Sequence, residues 1–155
     1  MKVFRAVNDR RAYIKKAFQM YVTHKQQLFA WEQELKQLPI PGESGLDYSH
    51  ERVSSSGNGV EAQFAKYAER VDELTKKINS VKKQVEIVRR TIEHFQIESK
   101  GKGKNHYRYI CARWLQRQSF RRAAVECGIA ESTAIFWIEE IYTIAEAIAE
   151  LYELF

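Results

Sequence analysis

The sequence predicts an all-α protein: an elongated antiparallel helical hairpin, coiled-coil in character, followed by a small C-terminal module of shorter helices. Three observations carry this. Apolar residues at Val60, Phe64, Tyr67, Val71, Leu74, Ile78, Val81, Val85, Val88, Ile92 and Phe95 alternate spacings of four and three without a break. That is the a/d repeat of a helix that needs a helical partner. The 155 residues include only two Pro and seven Gly, and are rich in good helix formers. Beyond residue 98 the repeat stops at Ser-Lys-Gly-Lys-Gly-Lys-Asn, and shorter amphipathic runs separated by turn residues follow. The expected division is therefore 1–97 for the hairpin, with a flexible connection at 39–59 inside it, and 98–155 for the second module.

In chain order, Asn8 or Asp9 offers a side-chain oxygen to cap a first helix running to residue 38. Ile14, Tyr21, Leu28 and Leu35 form its a positions, and Ala17, His24, Trp31 and Leu38 its d positions, with His24 a structural histidine on the seam. Pro39-Ile-Pro41-Gly ends it, since proline lacks the N–H and disfavours helix in the residue before it. Residues 42–59 are Gly- and Ser-rich without apolar periodicity and read as a long mobile connection. Asn58 with Glu61 resembles a capping box for the next helix, a rod of roughly 50 to 55 Å. Parallel self-pairing of the rod would set Lys77 against Lys82 and Gln84 against Arg89. Folding back on the first helix instead brings Glu34 near Arg70, a pair worth about 0 to 1 kcal/mol when exposed. The shorter first helix covers half of the rod. Val81, Val85, Val88, Ile92 and Phe95 are left for the C-terminal region or a second protomer.

Charge is segregated. Residues 82–122 carry twelve Lys or Arg against three Glu, a net of +9, whereas residues 123–155 carry seven Glu and no Lys or Arg. A basic block beside an acidic tail implies two kinds of partner. The first residues lack the apolar core of a signal peptide, and no run of about 18 apolar residues suits a membrane span, so a cytoplasmic protein is expected. Cys111 and Cys127 lie on apolar helix faces and read as reduced and buried. The four His show no metal-ligand spacing. Neither a phosphate loop, a nucleophile elbow nor a carboxylate pair in apolar surroundings is present, so no enzyme, cofactor, metal or small-molecule substrate is expected.

In the second module, Tyr107, Ile110, Cys111, Trp114 and Leu115 mark one helix face. Phe120, Ala123, Ala124 and Cys127 then form a short helix, Gly128 suits a left-handed turn, Ile129 plugs the corner, and Glu131-Ser132-Thr133 starts another helix. This is the spacing of a helix-turn-helix, with small Ala124 at the crossing and Ala134 and Trp137 facing inward. The last helix bears two apolar stripes. Ala134, Trp137, Ile141, Ile144, Ile148 and Leu151 form one, and Ile135, Ile138, Tyr142, Ala145, Ala149 and Tyr152 the other. A helix apolar on two sides is buried on two sides, so Ile138, Tyr142, Ala145 and Tyr152 join the rod residues as expected oligomerisation positions.

Residues 113–134, Arg-Trp-Leu-Gln-Arg-Gln-Ser-Phe-Arg-Arg-Ala-Ala-Val-Glu-Cys-Gly-Ile-Ala-Glu-Ser-Thr-Ala, resemble the C-terminal helix-turn-helix of the ArpU and RinA type phage transcriptional regulators. That module is itself similar to region 4 of sigma factors. The preceding helical hairpin with its Gly/Ser-rich connection extends the resemblance in layout. The implied function is regulation, as an activator, of phage or prophage late genes through promoter DNA, with possible contact to host RNA polymerase. The sequence departs from the pattern where Arg117 replaces a usual Gly, and where Ile135 and Phe136 stand in place of polar groups on the reading helix. Arg, Asn and Gln read base edges by paired hydrogen bonds, whereas Ile and Phe touch only thymine methyls. The expected double-stranded DNA contacts are Lys100, Lys102, Lys104, Arg113, Arg117, Arg121 and Arg122 to phosphate, Ser119 as a cap, and Glu131, Ser132, Thr133, Ile135 and Phe136 on the reading helix. A homodimer or higher homo-oligomer is expected. Two alternatives remain open: a DNA-packaging recognition subunit resembling a small terminase, and a coiled-coil protein adaptor without specific DNA binding.

Overall fold

The computed structural model describes residues 2–41, 58–98 and 105–155. Every regular element among them is helical: α1 (Lys2–Gln19), α2 (Tyr21–Gln37), α3 (Asn58–Glu98), α4 (His106–Ile110), a π turn (Cys111–Leu115), α5 (Phe120–Glu126) and α6 (Glu131–Leu151). The long connection falls largely outside the described residues, as do Lys100, Lys102, Lys104 and the side chain of Asn58 on which the capping box rests.

Two differences from the expected elements stand at the N-terminal end. The helix begins at Lys2, so Asn8 and Asp9 lie inside α1 and not at its start. Met20 separates α1 from α2, while Met20 N–H donates to Lys16 O at 2.9 Å and His24 N–H to Met20 O at 2.7 Å. The chain thus stays helical in direction across the break.

Contacts divide the chain into two compact units, Met1–Gln26 with Val81–Phe155, and Gln27–Ser80. These boundaries fall inside α2 and α3. In the smaller unit, Arg70 on α3 donates through Nε to Glu34 Oε1 on α2 at 3.0 Å, the pair expected from the heptad positions. Lys77 lies over the Trp31 ring at 5.9 Å. Leu74 and Ile78 are buried there.

The larger unit holds the main core. Ile14, Ala17, Phe18 and Tyr21 bury one face of α1 and the start of α2, and Val81, Val85, Ile87, Val88, Thr91 and Phe95 bury a broad arc of α3. A two-stranded seam would bury only a and d positions; here Gln84, Ile87 and Thr91 are buried as well. The expected oligomerisation residues Val81, Val85, Val88 and Phe95 are therefore spent inside the chain, with Ile92 half-buried. On α6 one face is buried, through Ala134, Trp137, Ile141, Tyr142, Ala145 and Ala149, combining members of both predicted stripes. Tyr142 and Ala145 are thus core residues, Ile138 is half-buried and Tyr152 exposed.

Aromatic rings tie these helices together. Phe18 meets Trp114 at 4.8 Å and Tyr142 at 5.7 Å, and Tyr109 stands edge-on to Trp114 at 6.1 Å and to Trp137 at 6.5 Å. His106 lies flat between Trp137 at 4.5 Å and Phe95 at 5.1 Å. Such pairs contribute about 0.5 to 1.5 kcal/mol each beyond the area they bury. The α4 face differs from expectation: Tyr109 and Ala112 are buried with Ile110 and Trp114, while Tyr107, Cys111 and Leu115 are half-buried. A π turn, closed by Gln116 N–H donating to Cys111 O at 2.9 Å, widens the helix and changes the register after Ile110, which accounts for Ala112; Tyr109, ahead of it, is buried against Trp114 and Trp137.

Burial pushes the Tyr109 hydroxyl up to about 12, and its Oη has no hydrogen-bond partner among the residues around it. Tyr109→Phe removes a desolvated polar group at nearly constant shape, and is expected to raise the unfolding free energy by about 1 kcal/mol in urea titration. Phe18→Ala, at a fully buried ring, is expected to lower it by about 3 to 5 kcal/mol. His24 is buried, and burial, then Lys16, hold its imidazole below the usual histidine range. Its folded value being depressed, its stability contribution is full above the unfolded value near 6.5 and is lost as pH falls through the folded one. His24→Leu is expected to flatten the stability loss between about pH 6.5 and 5, read as urea midpoints across that range.

Candidate nucleic-acid interface

The surface built by α5, the turn after it and the first turns of α6 is set by local sequence. Ser119 takes the extended cap conformation and its Oγ accepts from Arg122 N–H at 3.2 Å, as its position predicts. Cys127 closes α5 and Gly128 follows at φ +67°. Gly128 N–H donates to Val125 O at 3.0 Å and Ile129 N–H to Ala124 O at 3.0 Å. This pair of bonds is a Schellman motif, which needs a left-handed residue where Gly128 stands. Ala123, Ala124 and Ala134 are buried at the crossing and Trp137 lies beneath it, so α6 leaves the turn with a fixed face outward. Its first residue is Glu131, after Ala130, which supplies no side-chain cap.

The outward face carries Glu131, Ser132, Ile135 and Phe136, with Thr133 half-buried. Ile135 is 56% exposed and Phe136 72% exposed, so neither serves the core. Two shallow grooves flank Phe136. One, of about 300 Å³, is lined by Ser132, Thr133, Phe136, Trp137 and Glu140, and the other, of about 300 Å³, by Phe136, Glu139, Glu140, Thr143 and Ile144. Val125, on the outer side of α5, is also exposed, as its place off the 120/123/124/127 face implies.

The expected phosphate-contacting arginines are not equivalent. Arg121 and Arg122 are exposed on α5, with Arg121 Nε 3.3 Å from Glu131 Oε1. Arg113 is half-buried and its Nη1 donates to Gln118 O at 3.0 Å, which fixes the loop before α5. Arg117 adopts φ +54°, a left-handed conformation that costs a side chain-bearing residue about 1 to 2 kcal/mol. Its Nη2 donates to Thr23 Oγ1 at 2.8 Å, a link across 94 positions that no sequence pattern announces. Position 117 thus takes a backbone conformation that glycine would adopt without strain.

Acidic residues on α6 are answered by bases from other elements. Arg11 on α1 pairs with Glu139 at 2.7 Å and Glu146 at 2.6 Å, and its guanidinium lies over Tyr142 at 5.8 Å. Glu140 Oε2 lies 3.3 Å from His106 Nε2. On α3, Glu86 pairs with both Arg89 and Arg90, and these hydrogen bonds hold the Glu86 carboxyl below the usual range. Part of the basic block is therefore consumed within the fold. Burial pushes the Cys127 thiol up, which keeps it protonated; Cys111 and Cys127 are free thiols. Among the described residues no His, Cys, Asp or Glu cluster could hold a metal ion, and no helix is long and apolar enough to cross a membrane.

No protein-family model matches this chain, and neither a curated protein nor a solved structure matches it.

The turn geometry sets opposite expectations for two substitutions. Gly128→Ala meets no atom within 4 Å, so only backbone strain is added, and a loss of about 1 kcal/mol is expected. Arg117→Gly relieves strain but gives up an exposed hydrogen bond, and a net gain of up to about 1 kcal/mol is expected. Thermal unfolding followed at 222 nm checks both.

Proposed function

We propose that the chain is a DNA-binding transcriptional regulator that docks through a helix-turn-helix formed by α5 and α6, the first turns of α6 entering the major groove. The observation that carries this reading is the outward face itself. A Ser119-capped helix bearing exposed Arg121 and Arg122 leads through a Schellman turn into a helix whose first exposed residues are not used by the core. Arg121 and Arg122, with Lys100, Lys102 and Lys104 on the preceding segment, supply phosphate contacts, and Ser132, Ile135 and Phe136 face the bases, where the apolar pair favours thymine methyls. Glutamates on the reading helix would repel phosphate, but bases within the fold lie beside them. Glu139 is held by Arg11, Glu140 lies beside His106, and Glu131 lies beside Arg121. The resemblance of residues 113–134 to ArpU and RinA type regulators supports the further proposal of activation at phage or prophage late promoters, with host RNA polymerase as a protein partner.

A second reading has its own observation. Val125, Ile135 and Phe136 are all exposed apolar side chains, which suits a protein adaptor as well as a thymine-reading surface.

Titration of the full chain against duplex DNA from upstream of its own gene cluster and against scrambled duplex, over a salt series, separates the two. Counterion release lowers log affinity linearly with log salt by roughly 0.9 per phosphate contacted. Arg121→Ala with Arg122→Ala is expected to reduce that slope by about 2 and weaken both duplexes alike. Phe136→Ala is expected to weaken the native duplex about tenfold and leave the scrambled one unchanged. Absence of binding to either duplex at low salt would sink the DNA reading and leave the adaptor.

A further inference from the structure

Arg117 is an exposed cation on a left-handed backbone, φ +54°. Its Nη2 donates to Thr23 Oγ1, on the first turn of α2, at 2.8 Å. One exposed hydrogen bond does no more than offset the strain of a side chain-bearing residue in that conformation. Strain of this kind, kept where glycine would remove it, points to a use for the side chain. The other N–H groups of the guanidinium face solvent beside α5.

Thr23 joins Arg117 to the outer side of α1. Ile14, Ala17 and Phe18 are buried and Arg11 turns to Glu139 and Glu146 of α6, so Ala12, Lys15, Lys16 and Gln19 form the exposed side of that helix. The hydrogen bonds through Met20 carry the helical direction onward, and at about 100° per residue Thr23 continues the line of Lys16 and Gln19. Two turns, about 10 Å, separate Lys16 from Thr23. At the other end, Arg117 stands two positions before Ser119, which caps the helix carrying Arg121 and Arg122. Lys15, Lys16, Gln19, Thr23 and Arg117 thus make one polar row that runs into α5.

The row is positive. No Asp or Glu occurs between Asp9 and Glu32, against five Lys or Arg. Arg11 answers the acids of α6, Arg10 lies over Phe155 and Lys25 over Tyr21, which leaves Lys15 and Lys16 on the open face. Burial and then the charge of Lys16 hold the neighbouring His24 neutral, which is the sign of a positive potential at the junction of α1 and α2.

We propose that this row binds the DNA backbone beside the stretch met by α6, with Lys15, Lys16 and Arg117 each contacting a phosphate and Gln19 and Thr23 donating hydrogen bonds between them. The inference rests on the DNA reading above and adds a second, sequence-independent contact to it. Sign and continuity select the occupant. A polyanion that passes Arg121 and Arg122 at the start of α5 meets Arg117 next, and then the lysines of α1 in line with it. An acidic protein segment would find the same cations but has no need of that alignment.

Salt titration of the full chain on native and scrambled duplexes, with hydroxyl-radical footprinting of the native one, tests this. Lys15→Ala with Lys16→Ala, both at exposed positions, is expected to lower the salt slope by about 2 on each duplex, keep their affinity ratio, and shorten the protected stretch at one end. Lys82→Ala with Lys83→Ala removes the same charge from the exposed side of α3 and is expected to leave slope and footprint unchanged. Arg117→Gly is expected to lower the slope by about 1 while thermal unfolding holds or rises, an outcome that a merely structural Arg117 would not give. A wild-type slope and footprint for the α1 pair, while Arg121→Ala with Arg122→Ala still lowers the slope, overturns this row and leaves the DNA reading standing. Equal losses from the α1 and α3 pairs overturn it too, since net charge alone then accounts for the effect. So does polyglutamate binding that the α1 pair abolishes while duplex binding is untouched, which assigns the row to an acidic protein. Absence of binding to any duplex at low salt removes both readings together.

Discussion

The larger unit depends on a chain of aromatic contacts that starts at Phe18 on α1, passes through Trp114, Tyr109 and Trp137, and ends with His106 packed against Phe95 of α3. The small helices cannot stand alone. Runs of five to seven residues such as α4 and α5 are far below the length at which a helix is stable in water, so packing must hold them. Each contributes or covers part of the aromatic layer. The orientation of α6, and with it the outward direction of Ile135 and Phe136, follows from where Trp137 and Tyr142 are seated.

Backbone geometry sharpens that orientation at three places. The π turn at residues 111–115 lets Ala112 and Trp114 both face inward, Arg117 turns the chain through a left-handed residue, and Gly128 does the same before α6. Glycine meets the requirement at Gly128 without cost. At Arg117 the strain is held by Arg113, which clamps Gln118 O, and by the Arg117 contact with Thr23. Strain kept in place by surrounding bonds beside a candidate binding surface is consistent with a site whose shape matters more than its local stability.

Charge behaves differently in space from its pattern along the chain. Linear segregation into a basic block and an acidic tail suggests two opposed surfaces, yet Arg11 reaches from α1 to neutralise Glu139 and Glu146, and Glu86 absorbs Arg89 and Arg90. What remains exposed beside α6 is a smaller basic set centred on Arg121 and Arg122. Partly buried pairs such as those of Arg11 are screened less than exposed ones, so they also fix α1 against α6.

By itself the sequence determined what local rules govern. The helical class follows from composition and periodicity, the Ser119 cap and the Gly128 turn from residue chemistry, and the Glu34–Arg70 pair from heptad position. Each depends on neighbours within a few residues or on a repeat that continues unchanged. Tertiary structure alone decided which apolar residues were left over. Val81, Val85, Val88, Tyr142 and Ala145 carry the same periodicity whether they meet a second protomer or their own chain, and only the proximity of α1, α3 and α6 makes the choice. The burial of Tyr109 and Ala112, the glycine-like turn of Arg117 and the seating of Glu139 on Arg11 likewise arise from contacts between residues far apart in sequence. A pattern along one helix states that a face must be covered, but the covering residues are fixed only when the chain has folded.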